Sequence, residues 1–236
     1  MMTEAEWLTC GDPGIMLAWL GGRLNFQLHE PTFRRAALFA CACCRRIWTS
    51  LSDPRSRTLV EMIERDVDEG VDVKVRWNAE DEAKKAAVEA EFGGFATAAV
   101  WPLADLSDEA TSDQTDSIAD TASEAYALAQ LGERDPLSSI WIVAVKEERR
   151  YQASLLRDIF GNPFCPMTFS HSWRTDTAVA LASQMYDSRD FSAMPILADA
   201  LQDAGCDNDD ILTHCRDPKQ PHVRGCWVVD LILDKE

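Results

Sequence analysis

The chain has 236 residues, with 40 acidic against 23 basic side chains and a formal charge of −17 at pH 7. That balance excludes a protein built to hold nucleic acid, whose phosphates are bound by Lys and Arg, and leaves another protein as the expected partner. The sequence opens without the charged-then-apolar pattern of a secretory leader, and no apolar run reaches the length of a membrane span. The expectation is therefore a cytoplasmic protein whose eight Cys stay as thiols.

Thr3 caps a short first helix bearing Trp7 and Leu8, with Glu6 as its capping-box partner, and Cys10-Gly11 ends it. Asp12-Pro13 opens a second helix by the cap-then-proline rule, with Ile15, Met16, Trp19 and Leu20 as its stripe. After a loop through His29 comes FRRAALFACACCRRIWTSL, residues 33–51, which has no polar side chain between Arg35 and Arg45. Small residues on every face suit a buried central helix that neighbours approach closely from several sides. Cys41 and Cys44 read as small core hydrophobes there. Arg34, Arg35, Arg45 and Arg46 bracket the run and are expected to pair with acids of the middle helices. Asp53-Pro54 begins the next helix, with Leu59, Val60, Ile63 and Val67 inward as far as Gly70.

Residues 71–77 alternate as a strand would, with no second strand to pair, and read as an extended linker. Residues 78–100 are rich in Ala, Glu and Lys, which favours helix, with an interruption at Gly93-Gly94 and a close at Trp101-Pro102. Residues 105–135 carry many acids and a single base, Arg134. Their stripe of Ile118, Ala122, Ala125 and Leu128 predicts a helix that firms up near Ser117, with the acids on a solvated face. A long helix over 140–160 follows and stops at Gly161-Asn162-Pro163. The aromatic loop 164–173 should be packed down. Further helices are predicted over 175–187, 192–204 and 207–215, and a last one from near His222 to Leu233. The fold class is all-α: a multi-helix domain whose core is shared by residues 1–70 and 136–236, with 71–135 as an acidic, Ala-rich, semi-independent helical segment.

The blocks TEAEWL (3–8), LFACACCRRIW (38–48), LLRDIFGNPF (155–164), PILADALQDAGC (195–206) and ILTHCRDPKQPHVRGCWVVDLIL (211–233) together resemble a bacterial protein family that occurs as many paralogues in large genomes. In that family the counterpart of residues 70–135 is a variable, often Ala-rich insert. The resemblance implies the architecture; it implies no activity, cofactor or catalytic residue.

The cluster that could carry chemistry is Cys206, His214, Cys215, His222 and Cys226. Zinc takes Cys and His in tetrahedral sets, although the Cys-x2-Cys knuckle of the familiar zinc patterns is missing. Cys41 and Cys44, three apart on a helix, would add two thiolates if the ends of the chain met. The competing reading makes these Cys core residues and the His side chains partners of loop carbonyls. For a nucleophilic Cys, Cys43 and Cys44 beside Arg45 and Arg46 come nearest to an electropositive setting, but burial on the crowded helix opposes it. Asp207-Asn208-Asp209-Asp210 is no calcium loop, because Leu212 stands where glycine is needed and Pro218 where the last Glu belongs. Phosphate loops, dinucleotide fingerprints and nucleophile elbows are absent. The expected function is a non-enzymatic interaction or scaffold protein with no cofactor. The alternative is a thiol- or zinc-dependent enzyme, or a zinc-binding module, using the C-terminal Cys/His cluster.

Overall fold

The computed structural model describes residues 2–23, 31–90 and 112–235, and these form eleven α-helices with no strand among them. The chain is all-α, as its periodicity implies. It divides into two compact units, Met1–Ala153 and Ser154–Glu236. The expected loop at His29 and the expected breaks at Gly93-Gly94 and Trp101-Pro102 lie outside the described residues. No helix among the described residues is long and apolar enough to cross a membrane.

The first unit starts with α1 (Glu4–Thr9) and α2 (Pro13–Gly21), both begun by local chemistry. The Thr3 side chain and Glu6 close a reciprocal capping box, and the Asp12 carboxylate accepts from the N–H groups of Gly14 and Ile15. The buried side of α2 is Met16, Leu17 and Leu20, whereas Ile15 is 58% exposed. The expected stripe was thus rotated by one residue. Trp7 is fully buried, its ring 5.7 Å from that of Trp19.

Helix α3 (Pro31–Arg46) is the centre of this unit, and every residue from Ala36 to Cys44 is buried. Two helices close on it: α4 (Pro54–Glu69) and α6 (Ser112–Leu131). The buried stretch is mostly Ala and Cys, with Leu38 and Phe39 as its large side chains, a composition that allows close packing. Cys41 lies against α4, its Sγ 3.8 Å from the Val60 carbonyl. Burial pushes the thiols of Cys41, Cys43 and Cys44 well up, so they remain protonated core residues and not nucleophiles.

Three of the bracketing arginines pair internally, Arg34 and Arg45 on α4 and Arg46 on α7 (Ser139–Phe160). Arg34 meets Asp68 at 2.9 Å, Arg45 forks onto Glu64 at 2.6 and 2.7 Å, and Arg46 forks onto Glu148 at 3.1 and 2.8 Å. The Arg46 guanidinium also sits 3.9 Å from the Tyr151 ring centre and 4.9 Å from that of Tyr126, a stacked geometry that Lys would not reproduce.

The expected linker at 71–77 is instead the start of α5 (Val73–Glu89), a correction with a local cause. Asp72 caps it by accepting from the Lys74 N–H, and the Ala, Glu and Lys run behind it favours helix strongly. The apparent alternation therefore points outward: Val73, Val75 and Trp77 are 45–56% exposed, while Ala79, Ala83 and Ala86 face inward. α5 packs on α4, with Arg76 reaching Asp66 at 2.9 Å, and α6 packs on α2 and α3.

The second unit holds the end of α7, then α8 (Asp176–Ser188), α9 (Met194–Asp203), α10 (Asp209–Arg216) and α11 (Trp227–Leu233). Thr175 and Asn208 cap α8 and α10 through their side chains. The core is formed by Ala178, Ala182, Met185, Leu197, Leu201, Ile211, Val228, Val229 and Ile232, among others. Met167, Phe169 and Trp173 of the aromatic loop lie against it, so that loop is packed down. The last helix begins at Trp227 and not near His222. Gly225 holds φ at 93°, in the left-handed region, and the Cys226 N–H closes a turn onto the Val223 carbonyl. Residues 221–226 are consequently a tight turn, and that turn carries both His222 and Cys226.

Two outcomes test this packing. Removing one partner of a buried ion pair costs about 3–5 kcal/mol, and Arg46 keeps part of its side chain in water, so Glu148→Ala should lose about 3 kcal/mol in a urea melt. Glu89→Ala, which breaks an exposed pair with Arg55, should leave the melt unchanged; equal losses would contradict the assignment. A thiol reagent should modify the exposed Cys165 in the native protein and reach Cys41, Cys43 and Cys44 only after unfolding. Rapid native reaction of any of those three would show that α3 is not a core helix.

Candidate metal centre

Asp158 sits in the last turn of α7, fully buried among Leu155, Leu156 and Ile159. A carboxylate taken out of water costs several kcal/mol unless its oxygens are satisfied, and here three donors are in reach. His222 Nδ1 lies 2.9 Å and His214 Nε2 3.2 Å from Oδ1, while the Val223 N–H donates to Oδ2 at 2.9 Å. The Val223 bond fixes the carboxylate so that Oδ1 points at the two rings. Burial pushes the Asp158 carboxyl up, but the hydrogen bonds and charges of His214 and His222 outweigh it and hold the group below the usual carboxylate range.

Cys226 completes the set. It is fully buried, with Sγ 3.3 Å from His214 Nε2 and 3.8 Å from His222 Nδ1. Burial pushes its thiol well up, the nearby Asp158 charge adds to that, and the N–H groups of Val228 and Val229 offset a little of it. His214 comes from the last turn of α10, and His222 and Cys226 come from the 221–226 turn. Three separate segments therefore aim one oxygen, two nitrogens and one sulfur at a common point, all within 4.8 Å of one another.

Four of the six ligand-atom pairs stand within about half an ångström of tetrahedral edges, and all six lie within 4.8 Å. With metal–N and metal–O near ~2.0–2.1 Å and metal–S near ~2.3 Å, a tetrahedron has N–N and N–O edges of about 3.4 Å and N–S edges of about 3.6 Å. The distances here are 2.9, 3.2, 3.3 and 3.8 Å. The charges also match, since a divalent cation neutralises one carboxylate and one thiolate and leaves both imidazoles neutral.

A Cys-His-Asp relay would be built differently. Such a relay uses opposite nitrogens of one ring, the nucleophile on one and the carboxylate on the other. Here Asp158 and Cys226 approach the same nitrogen on each ring, Nε2 of His214 and Nδ1 of His222. With Cys226 sealed from solvent, the arrangement suits a central ion better than proton transfer from a nucleophile.

Of the five residues singled out from the sequence, the structure brings together His214, His222 and Cys226. Cys206 and Cys215 stay in the apolar core of the unit, 3% and 1% exposed, and burial pushes the Cys215 thiol up to about 12. Cys215 follows His214 on the same helix, and one residue of helix turns its side chain by about 100° away from the cluster. Cys41 and Cys44 belong to the first unit. Asp158 was not anticipated: it lies 64 residues before His222, inside the apolar block LLRDIF. The usable signal was an acid on the inward face of a buried helix, which requires a partner. No protein-family model matches the chain, and comparison with curated proteins and with solved structures likewise finds no match.

Proposed function

We propose that the second unit is a zinc-binding helical module in which Asp158, His214, His222 and Cys226 hold one ion in a structural role. The observation that carries this reading is the convergence of four ligand atoms of the right chemistry from three chain segments. One thiolate, two imidazoles and one carboxylate suit zinc better than magnesium or calcium, which favour oxygen alone. Four protein ligands fill the tetrahedron, and a catalytic zinc keeps one position for water or substrate. The ion ties the end of α7 to α10 and to the turn before α11, so its binding energy adds to the folding energy of this unit. A scaffold or interaction protein needs that kind of fixed geometry, and the net charge of −17 favours a protein partner over nucleic acid.

A second reading has its own support, namely the three donors that already satisfy Asp158. On it the carboxylate is a hydrogen-bond hub that locks the same segments together without an ion. Thermal melts with and without a strong chelator, together with zinc content, separate the two. The zinc reading expects one zinc per chain and a melting temperature that drops by several degrees on chelation and recovers with added zinc. A 100-fold excess of zinc over its dissociation constant is worth about 2.7 kcal/mol. It also expects His222→Ala to abolish the chelator effect. Unchanged melts in chelator, with no zinc retained, would leave the hub alone standing.

A further inference from the structure

A side-chain polar contact to the cluster comes from outside it. The Trp227 indole N–H donates to His214 Nδ1 at 3.3 Å, with ring centres 5.0 Å apart and planes tilted by 52°. Trp227 is the first residue of α11 and directly follows the ligand Cys226. Its ring lies over Gly161, at the end of α7, where a Cβ would come within 3.3 Å of the indole. Gly161 also has φ of 66°, so both the close approach and the backbone there favour glycine.

A neutral imidazole has two nitrogens and one hydrogen. When Nδ1 accepts from the indole, that hydrogen is on Nε2, aimed at the Asp158 carboxylate 3.2 Å away. A cation held by Nε2 uses the lone pair there and leaves the hydrogen on Nδ1. Two N–H groups would then face each other across the 3.3 Å contact. Metal-ligating histidines ordinarily give their second N–H to an acceptor; His214 meets a donor instead.

We propose that Trp227 competes with the cation for His214: the indole–imidazole hydrogen bond and ligation through His214 Nε2 exclude one another, so loading the site releases the indole and shifts the start of α11. This rests on the zinc reading of the cluster. It makes the site one whose affinity is held down by its own neighbour, and it couples occupancy to the seating of Trp227 on the end of α7. A neighbour that merely held the ligand in place would act in the opposite sense, since removing it weakens metal binding.

The test is a zinc titration of the full chain, carrying 15N-labelled tryptophan, followed at the Trp227 indole N–H by NMR. Zinc affinity of wild type and Trp227→Phe is measured beside it by chelator competition. The expected result is a Trp227 indole signal that moves in step with occupancy and exchanges faster with solvent in the loaded form. Trp227→Phe, which keeps an aromatic ring on Gly161 but has no donor, should bind zinc roughly ten-fold more tightly. Should that variant fail to fold, the wild-type titration decides alone. Zinc binding with an unmoved indole, or affinity in Trp227→Phe equal to or weaker than wild type, overturns the competition and leaves the site standing. No zinc binding by either protein overturns the site and the competition together.

Discussion

A carboxylate shut away from water is the constraint on which the second unit depends. Asp158 is fully buried in the last turn of α7, and desolvation of an ionised acid would cancel much of a small unit's stability unless charge and hydrogen bonds replaced the lost water. The replacements are His214, His222 and the Val223 N–H, none of them near Asp158 in sequence. Each can reach the carboxylate only if α10 and the 221–226 turn are brought to the end of α7. Satisfying one side chain thus fixes three segments, and the same convergence brings Cys226 into contact with both rings. Once one oxygen, two nitrogens and a sulfur share a point, a soft divalent cation is the species that satisfies all four together.

The first unit solves a different problem with different means. Helix α3 buries a run of Ala and Cys together with Leu38 and Phe39, so its stability comes from dense packing on all sides. Such a helix has little to fix its register along its axis. The forked pairs of Arg45 with Glu64 and Arg46 with Glu148 supply that, because two parallel N–H···O bonds from Nε and Nη2 fix each carboxylate in the guanidinium plane. These pairs set direction at the C-terminal end of α3, as Arg34 with Asp68 does near its start.

What was legible in the sequence was what local chemistry decides. Thr3 with Glu6, Asp12 with Pro13 and Asp53 with Pro54 mark helix starts that the structure places there, because a cap acts within one turn of itself. The all-α class follows from periodicity in the same way, and the buried α3 from the lack of any polar side chain between Arg35 and Arg45. Residues 71–77 misled because a short valine alternation was weighed without the Asp72 cap and the helix-favouring run behind it. The start of α11 was misplaced because Gly225 at positive φ cannot be told from an ordinary glycine by its neighbours. At the cluster, composition pointed to His214, His222 and Cys226 but equally to Cys206 and Cys215, since only side-chain direction separates Cys215 from His214. Asp158 was hidden by distance along the chain, and the Trp227 hydrogen bond by the fact that donors are not visible in spacing.

The proposed site requires one sulfur and three lighter atoms to share an ion. X-ray absorption at the zinc edge of the zinc-loaded protein reads that shell directly. The predicted spectrum has four-coordinate zinc with one sulfur at about 2.3 Å and three nitrogen or oxygen neighbours at about 2.0–2.1 Å. A six-coordinate shell of nitrogen and oxygen alone, with no sulfur, would place the ion elsewhere on this acidic chain and contradict the assignment.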